Sequence, residues 1–108
     1  MSEEKEYVVV LNTCPGSITA KQIAQDLVAN NHAACVNIIP AIQSVFKWGN
    51  QVKNENEYLL IIKTTRENYE NVEKRIRALH PYELPEVIAV PITTGLDGYL
   101  NWINQAIN

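Results

Sequence analysis

The sequence predicts an α+β fold, an antiparallel sheet with helices on one face, and three observations predict it. Short β-branched runs such as Tyr7-Val8-Val9-Val10-Leu11 alternate with stretches whose apolar residues recur at helical spacing. Gly49-Asn50 joins two long extended segments as a hairpin turn. The resulting order is strand, helix, strand, strand, helix, strand, helix. That is the split βαβ arrangement of a ferredoxin-like sandwich, here with an extra C-terminal helix and a long protruding β-hairpin.

Taken in order, the first strand is Tyr7 to Leu11, broken by Cys14-Pro15-Gly16-Ser17. Thr19 with Gln22 reads as a capping box, and Ile23, Ala24, Leu27 and Val28 share one helical face until Asn30-Asn31 closes the helix. Ala33 to Trp48 and Val52 to Thr65 form a two-stranded ribbon. The first carries Val36, Ile38, Val45 and Phe46, the second the run Tyr58-Leu59-Leu60-Ile61-Ile62. Pro40 lacks a ladder donor and is expected to interrupt or bend its strand. Thr64 or Thr65 is placed to cap the second helix, whose stripe is Tyr69, Val72, Ile76 and Leu79, with Glu73, Lys74, Arg75 and Arg77 mostly toward water. His80-Pro81 ends it. Glu86 to Val90 reads as a further buried strand stopped by Pro91. Asp97 is placed to cap a last helix that buries Leu100 and Ile103, with Trp102 as a further candidate.

Composition bounds the class. A chain of 108 residues fits one domain, 1–108, and at this size folding buries about 60–70% of the unfolded surface, enough for a core without staples. Hydrophobic residues are 46% and charged residues 19%, ordinary globular usage, and a net charge of -3 leaves no electrostatic footprint for nucleic acid. Cys14 and Cys35 are not spaced as Cys-x-x-Cys, so reduced thiols in a cytoplasmic setting are expected rather than a disulfide. The start, Met1-Ser2-Glu3-Glu4-Lys5-Glu6, is acidic and unlike a basic signal or transit peptide. No apolar run exceeds the five residues of Tyr58 to Ile62, far short of the roughly 20 that span a bilayer. No membrane partner is expected.

The ribbon has a dimensional consequence. The sixteen residues from Ala33 to Trp48 would span about 50 Å when extended, whereas a compact domain of this length has a radius of gyration of about 13 Å. The ribbon should overhang its own domain, and Phe46, Trp48 and Val52 then need a neighbouring subunit to cover them. A closed symmetric homo-oligomer satisfies both the sheet edges and the aromatic surface.

The densest polar stretch is His80-Pro81-Tyr82-Glu83-Leu84-Pro85-Glu86-Val87-Ile88. Its prolines make Tyr82 to Glu86 a rigid connector, and rigid polar loops are where binding sites are built. The plainer reading is a helix stop with His80 at the negative helix end. His80 is the one histidine in a polar loop. His32, beside Asn30-Asn31, reads as a solvent-facing helix end. Cys35, between Ala34 and Val36, reads first as a small buried hydrophobe. Lys63 ends an apolar strand and either snorkels to water or, in a cleft, attracts an anion or pairs with Glu86. Tyr82 and Glu83 could pass a proton, but no nucleophile with an adjacent base, phosphate-cradling glycine motif or His-Glu-x-x-His run accompanies them. No catalytic residue is assigned, and a hydrolytic or isomerising enzyme is the minor reading.

Several segments together carry a family resemblance. Val8-Val9-Val10-Leu11-Asn12-Thr13, Ala33-Ala34-Cys35-Val36-Asn37-Ile38-Ile39-Pro40, Ser44-Val45-Phe46-Lys47-Trp48 and Leu60-Ile61-Ile62-Lys63-Thr64 precede the His80 block and Tyr99-Leu100-Asn101-Trp102. In this order they resemble the CutA family, named for divalent cation tolerance, over nearly the whole chain. The resemblance implies a tight homotrimer similar in architecture to PII signalling proteins, with interlocked hairpins and Phe46, Trp48 and Trp102 as interface anchors. It also implies a role in metal-ion tolerance, with Cu(II) or another divalent cation as the bound species. Lys63, Tyr82, Glu83, Glu86 and Cys35 become the candidates for an intersubunit cleft. Family members credited with copper binding place a cysteine at the position of Asn12 and a second histidine at that of Leu79. Only His80 carries over here, so on the resemblance it is the candidate metal contact, imidazole and thiolate both suiting copper. Cys14, two residues from Asn12, is a candidate replacement. The alternative is a structural or signalling trimer whose cleft takes a small ligand or partner without a metal role.

Overall fold

The computed structural model describes residues 5–108, so the acidic start from Met1 to Glu4 lies outside the described residues. Its elements are β1 (Tyr7–Cys14), α1 (Ser17–Ala29), β2 (Cys35–Trp48), β3 (Gln51–Thr65), a 3₁₀ turn (Arg66–Asn68), α2 (Tyr69–Leu79), β4 (Ile88–Pro91) and α3 (Asp97–Ile107). The sheet is antiparallel in the order β2-β3-β1-β4. This is the ferredoxin-like arrangement expected from the element order.

Alternation along β1 sends Val8, Val10, Asn12 and Cys14 inward, where Val8 and Val10 meet Leu60 and Ile62 of β3 and the buried stripes of α1 and α2. Ile23 and Leu27 come from α1, Val72 and Ile76 from α2. Asn31, at φ 61, takes the left-handed position after α1, and the His32 and Ala33 amides both return to the Leu27 carbonyl. The bidentate pair of Arg75 with Asp26, at 2.9 and 2.7 Å, ties the two helices together on the outside.

The opposite side of the sheet is only partly covered. α3 lies across one end of it, where Ile103 and Ile107 pack with Ala34, Tyr7 and Leu100. Beyond α3, Val9, Leu11, Leu59 and Ile61 are half-buried, and Ile88 and Val90 are 51% and 47% exposed. Ile88 to Pro91 is therefore not a strand buried within this chain, as the apolar run suggested, because it is an edge strand and all four of its residues are exposed. Trp102, 43% exposed on α3, is likewise not buried within the chain.

The expected overhang is present. The molecule measures 52 × 25 × 22 Å with a radius of gyration of 14.7 Å, against about 13 Å for a compact chain of this length. The hairpin turns at Gly49 and Asn50, with Gly49 at φ 62 and Trp48 opposite Gln51. Pro40 bends the strand without ending it: β2 shifts register between Ile39 and Ile42, and Ala41 sits at φ 60.

Three helix starts differ from expectation. α1 begins at Ser17 because the Ala20 amide already bonds the Gly16 carbonyl, so Thr19 lies inside the helix and forms no capping box. Thr65 precedes the 3₁₀ turn, but its hydroxyl accepts from the Asn68 side chain rather than from a backbone amide, while the Thr64 hydroxyl donates to the His32 carbonyl. Asp97 is the first residue of α3 rather than its cap; the Leu96 carbonyl receives the Tyr99 and Leu100 amides, and Asp97 acts only through the helix dipole.

Candidate functional site

The polar groups of the His80 block converge where β1 ends and the ribbon leaves the sheet. α2 stops at Leu79, and His80 turns into extended backbone with its amide still bonded to the Ile76 carbonyl. The imidazole is 7% exposed. Its Nε2 lies 2.7 Å from the Thr13 carbonyl, and a carbonyl only accepts, so Nε2 carries the proton. Nδ1 accepts the Tyr82 amide at 3.1 Å, and the two rings sit 4.7 Å apart. Both nitrogens are thus engaged within the chain.

Beyond the imidazole, the Tyr82 hydroxyl donates to Glu57 Oε2 at 3.0 Å, and Glu57 is 5% exposed. Burial, then the Glu57 hydrogen bond and charge, push the Tyr82 phenol up to about 12, with Glu55 and Cys14 adding to the effect. Asn12 and Cys14 share the inward side of β1. The Cys14 thiol donates to Asn12 Oδ1 at 3.3 Å, and Asn12 Nδ2 donates to the Glu86 carbonyl at 2.8 Å. Burial, and secondarily Glu57, push the Cys14 thiol up to about 11, so it is a neutral thiol at physiological pH and a poor ligand or nucleophile. The Tyr69 hydroxyl, 2.9 Å from Glu73 Oε1 and 3.3 Å from the Val87 carbonyl, holds the far end of the loop. Its own value is raised, by burial first and then by Glu73.

The expected set therefore divides. His80 and Tyr82 come together, while the side chains of Glu83 and Glu86 are exposed on the loop. Lys63 and Cys35 face each other across β3 and β2, opposite Val9, whereas Thr13 is opposite Leu59. That separation is four residues along the strand, about 13 Å. The Lys63 ammonium donates to Asn37 Oδ1, not to Glu86. The Tyr99 phenol is shifted up, first by burial and then by the Cys35 thiol beside it. Among the described residues no three His, Cys, Asp or Glu side chains converge on a point that could hold a metal ion. With Nδ1 occupied and Cys14 protonated, the donors of one chain as arranged do not make a cation site. Phe46 and Trp48 stand out from the ribbon, 38% and 53% exposed.

Glu57 and the Thr13 carbonyl were not among the residues singled out from the sequence, and Asn12 entered only as the position at which copper-binding relatives carry a cysteine. Glu57 closes the polar stretch before an apolar strand, a position that reads as a solvated strand end, and only the loop folding back buries it.

The comparisons with known proteins agree with the fold. The model of the CutA1 divalent ion tolerance protein family matches residues 8–106. The divalent-cation tolerance protein CutA of Thermus thermophilus is 42% identical over 90% of this chain and 94% of its own, and its structure superimposes with a TM-score of 0.89. The chloroplastic CutA protein of Arabidopsis thaliana is 43% identical over 92% of this chain, which spans 54% of that protein's length. The crystal structure of CutA from Xylella fastidiosa, 38% identical, covers 94% of this chain and 98% of its own with a TM-score of 0.92. Family and fold thus coincide along nearly the entire sequence, and the chain belongs to the CutA1 divalent ion tolerance protein family.

Proposed function

We propose that this chain works as a single CutA-like unit in a homotrimer of PII-like architecture, and that the trimer serves divalent-cation tolerance in the cytoplasm by binding a cation, Cu(II) foremost. The observation that carries the assembly is the uncovered side of the sheet. Val9, Leu11, Leu59, Ile61, Ile88 and Val90 form an apolar row outside the cluster that α3 buries, half-buried on β1 and β3 and exposed on β4, and an apolar face left partly open in this way marks an interaction surface. Trp102 and the ribbon aromatics lie at its margins, as interface anchors would. His80 is the cation contact on this reading. Because its Nδ1 already accepts the Tyr82 amide, copper gains the imidazole only by displacing that amide, so binding is weak and needs donors from a second copy. Glu83 and Glu86, exposed on the loop, are the carboxylates available for that completion.

The engaged imidazole favours a second reading, in which the loop shapes an intersubunit cleft for a small ligand or partner protein and copper has no specific place. Calorimetric titration with Cu(II) separates the two. On the metal reading His80→Ala removes the tightest site and His32→Ala retains it; identical isotherms for wild type and His80→Ala leave the cleft reading in force. Light scattering on the same samples reports the number of chains.

A further inference from the structure

We propose that the one-residue bulge at Pro40-Ala41 is the device that aims the ribbon at a second copy of this chain, by moving its aromatic side from the helix side of the sheet to the uncovered side. The inference rests on the assembly reading above. In β2 Ile39 and Val45 sit at odd positions, and the other large apolar residues, Val36, Ile38, Ile42, Phe46 and Trp48, at even ones. Strict alternation would put them on one side, because side chains two apart in a strand share a face. The structure divides them. Val36 and Ile38 stand opposite Ile62 and Leu60 and pack on the core beneath α1 and α2. Ile39 stands opposite Leu59, yet Ile42 stands opposite Glu57. Three steps on β2 therefore match two on β3, and every residue outward of Ala41 changes side. Ile42, Phe46 and Trp48, paired with Glu57, Lys53 and Gln51, fall on the side of Leu59 and Ile61.

Without the extra residue the aromatics would lie toward the helices and beyond the end of β1. With it, Ile42, Phe46 and Trp48, with Ser44 among them, carry apolar side chains from the uncovered sheet face out along the ribbon beside Glu55, Lys53 and Gln51, while Val45 and Val52 take the other side. That continuity selects the occupant. An apolar row that passes from the sheet onto an overhanging ribbon fits another copy of the same shape, which covers a sheet face with one part while offering its own to the next. The local chemistry supports the bulge: Pro40 has no amide to leave unpaired there, and Ala41 holds φ 60, a conformation L side chains rarely adopt.

Three variants test this on the full chain, by size exclusion with light scattering over a dilution series and far-UV circular dichroism. Ala41→Gly keeps the residue count and eases the positive φ, and it should assemble as wild type does. Ala41→Val keeps the count but places a β-branched residue where φ is positive, and it should dissociate at a protein concentration at least about tenfold higher than Ala41→Gly. A variant lacking Ala41 restores strict alternation and should run as a single chain with the wild-type dichroism spectrum. If that variant does not fold, the ratio between Ala41→Val and Ala41→Gly decides alone. Wild-type assembly by both Ala41→Val and the deletion overturns the inference and leaves the homotrimer reading standing. A wild-type protein that runs as one chain overturns both.

Discussion

His80 donates from Nε2 to the Thr13 carbonyl across 2.7 Å, joining the end of α2 to the end of β1. This bond sets the tautomer, and the tautomer leaves Nδ1 as an acceptor for the Tyr82 amide at 3.1 Å. The residue most expected to face a ligand is thereby a fastener between strand and loop.

Removing it exposes the fastening role. His80→Ala leaves a carbonyl and an amide without partners in a buried setting, which costs about 1–3 kcal/mol. Urea unfolding should show the midpoint lowered by a corresponding amount, whereas His32→Ala, at the half-buried end of α1, should shift it much less. Equal midpoints for the two variants would refute the fastener.

Cys14 should resist alkylation in the native state. Its folded value of about 11 lies above the ordinary 9.0, so the native state favours the protonated thiol. The resulting stabilisation is whole below about pH 9 and is lost as pH rises through about 11. Iodoacetamide at pH 8 followed by mass spectrometry should find Cys14 unmodified unless denaturant is present. Modification at the rate of a free thiol would mean the end of β1 is open.

The Asp26 pair has the opposite sign. The Arg75 hydrogen bond, followed by its charge and the Asn30 side chain, holds the Asp26 carboxyl below the ordinary 3.8 against the opposing effect of burial. A depressed carboxyl stabilises above its unfolded value and loses that contribution as pH falls through the folded one. Asp26→Asn should therefore melt below wild type at pH 7, with the difference closing as pH falls through the lowered carboxyl value, beneath the ordinary 3.8. A gap that persists at pH 2 would point to packing rather than charge.

Trp48, 53% exposed in one chain, should be covered in the assembly. Truncating a buried Trp costs about 3–5 kcal/mol, so Trp48→Ala should lower the mass found by light scattering at micromolar concentration while the dichroism spectrum is retained. Undiminished mass would place Trp48 outside the contact.

Much of the fold was legible because its signals are local. The β-branched run at Tyr7, the stripe of Tyr69, Val72, Ile76 and Leu79, and the Gly49-Asn50 turn each depend on neighbours a few residues away, and each appears as expected. Boundaries were less legible. β1 runs on to Cys14 because Tyr58 pairs with it, and the helix starts follow backbone bonds rather than the nearest Thr or Asp. The site was legible only in part. His80 and Tyr82 were singled out, but Glu57 and Asn12, 25 and 74 residues from the loop positions they bond, carry no local signal of that role.

By itself the sequence determined the order of elements, the hairpin and its overhang, since periodicity and turn chemistry act over a single element. Tertiary structure alone decided which way the ribbon faces. Val36, Ile38, Ile42, Phe46 and Trp48 share even positions in the sequence, as one strand face would, but register is settled by pairing with β3, and the residue unmatched at Pro40-Ala41 turns the last three to the other side. The imidazole was decided in the same way. Its two nitrogens are directed by a carbonyl from β1 and an amide from its own loop, partners brought together only when the sheet and α2 pack.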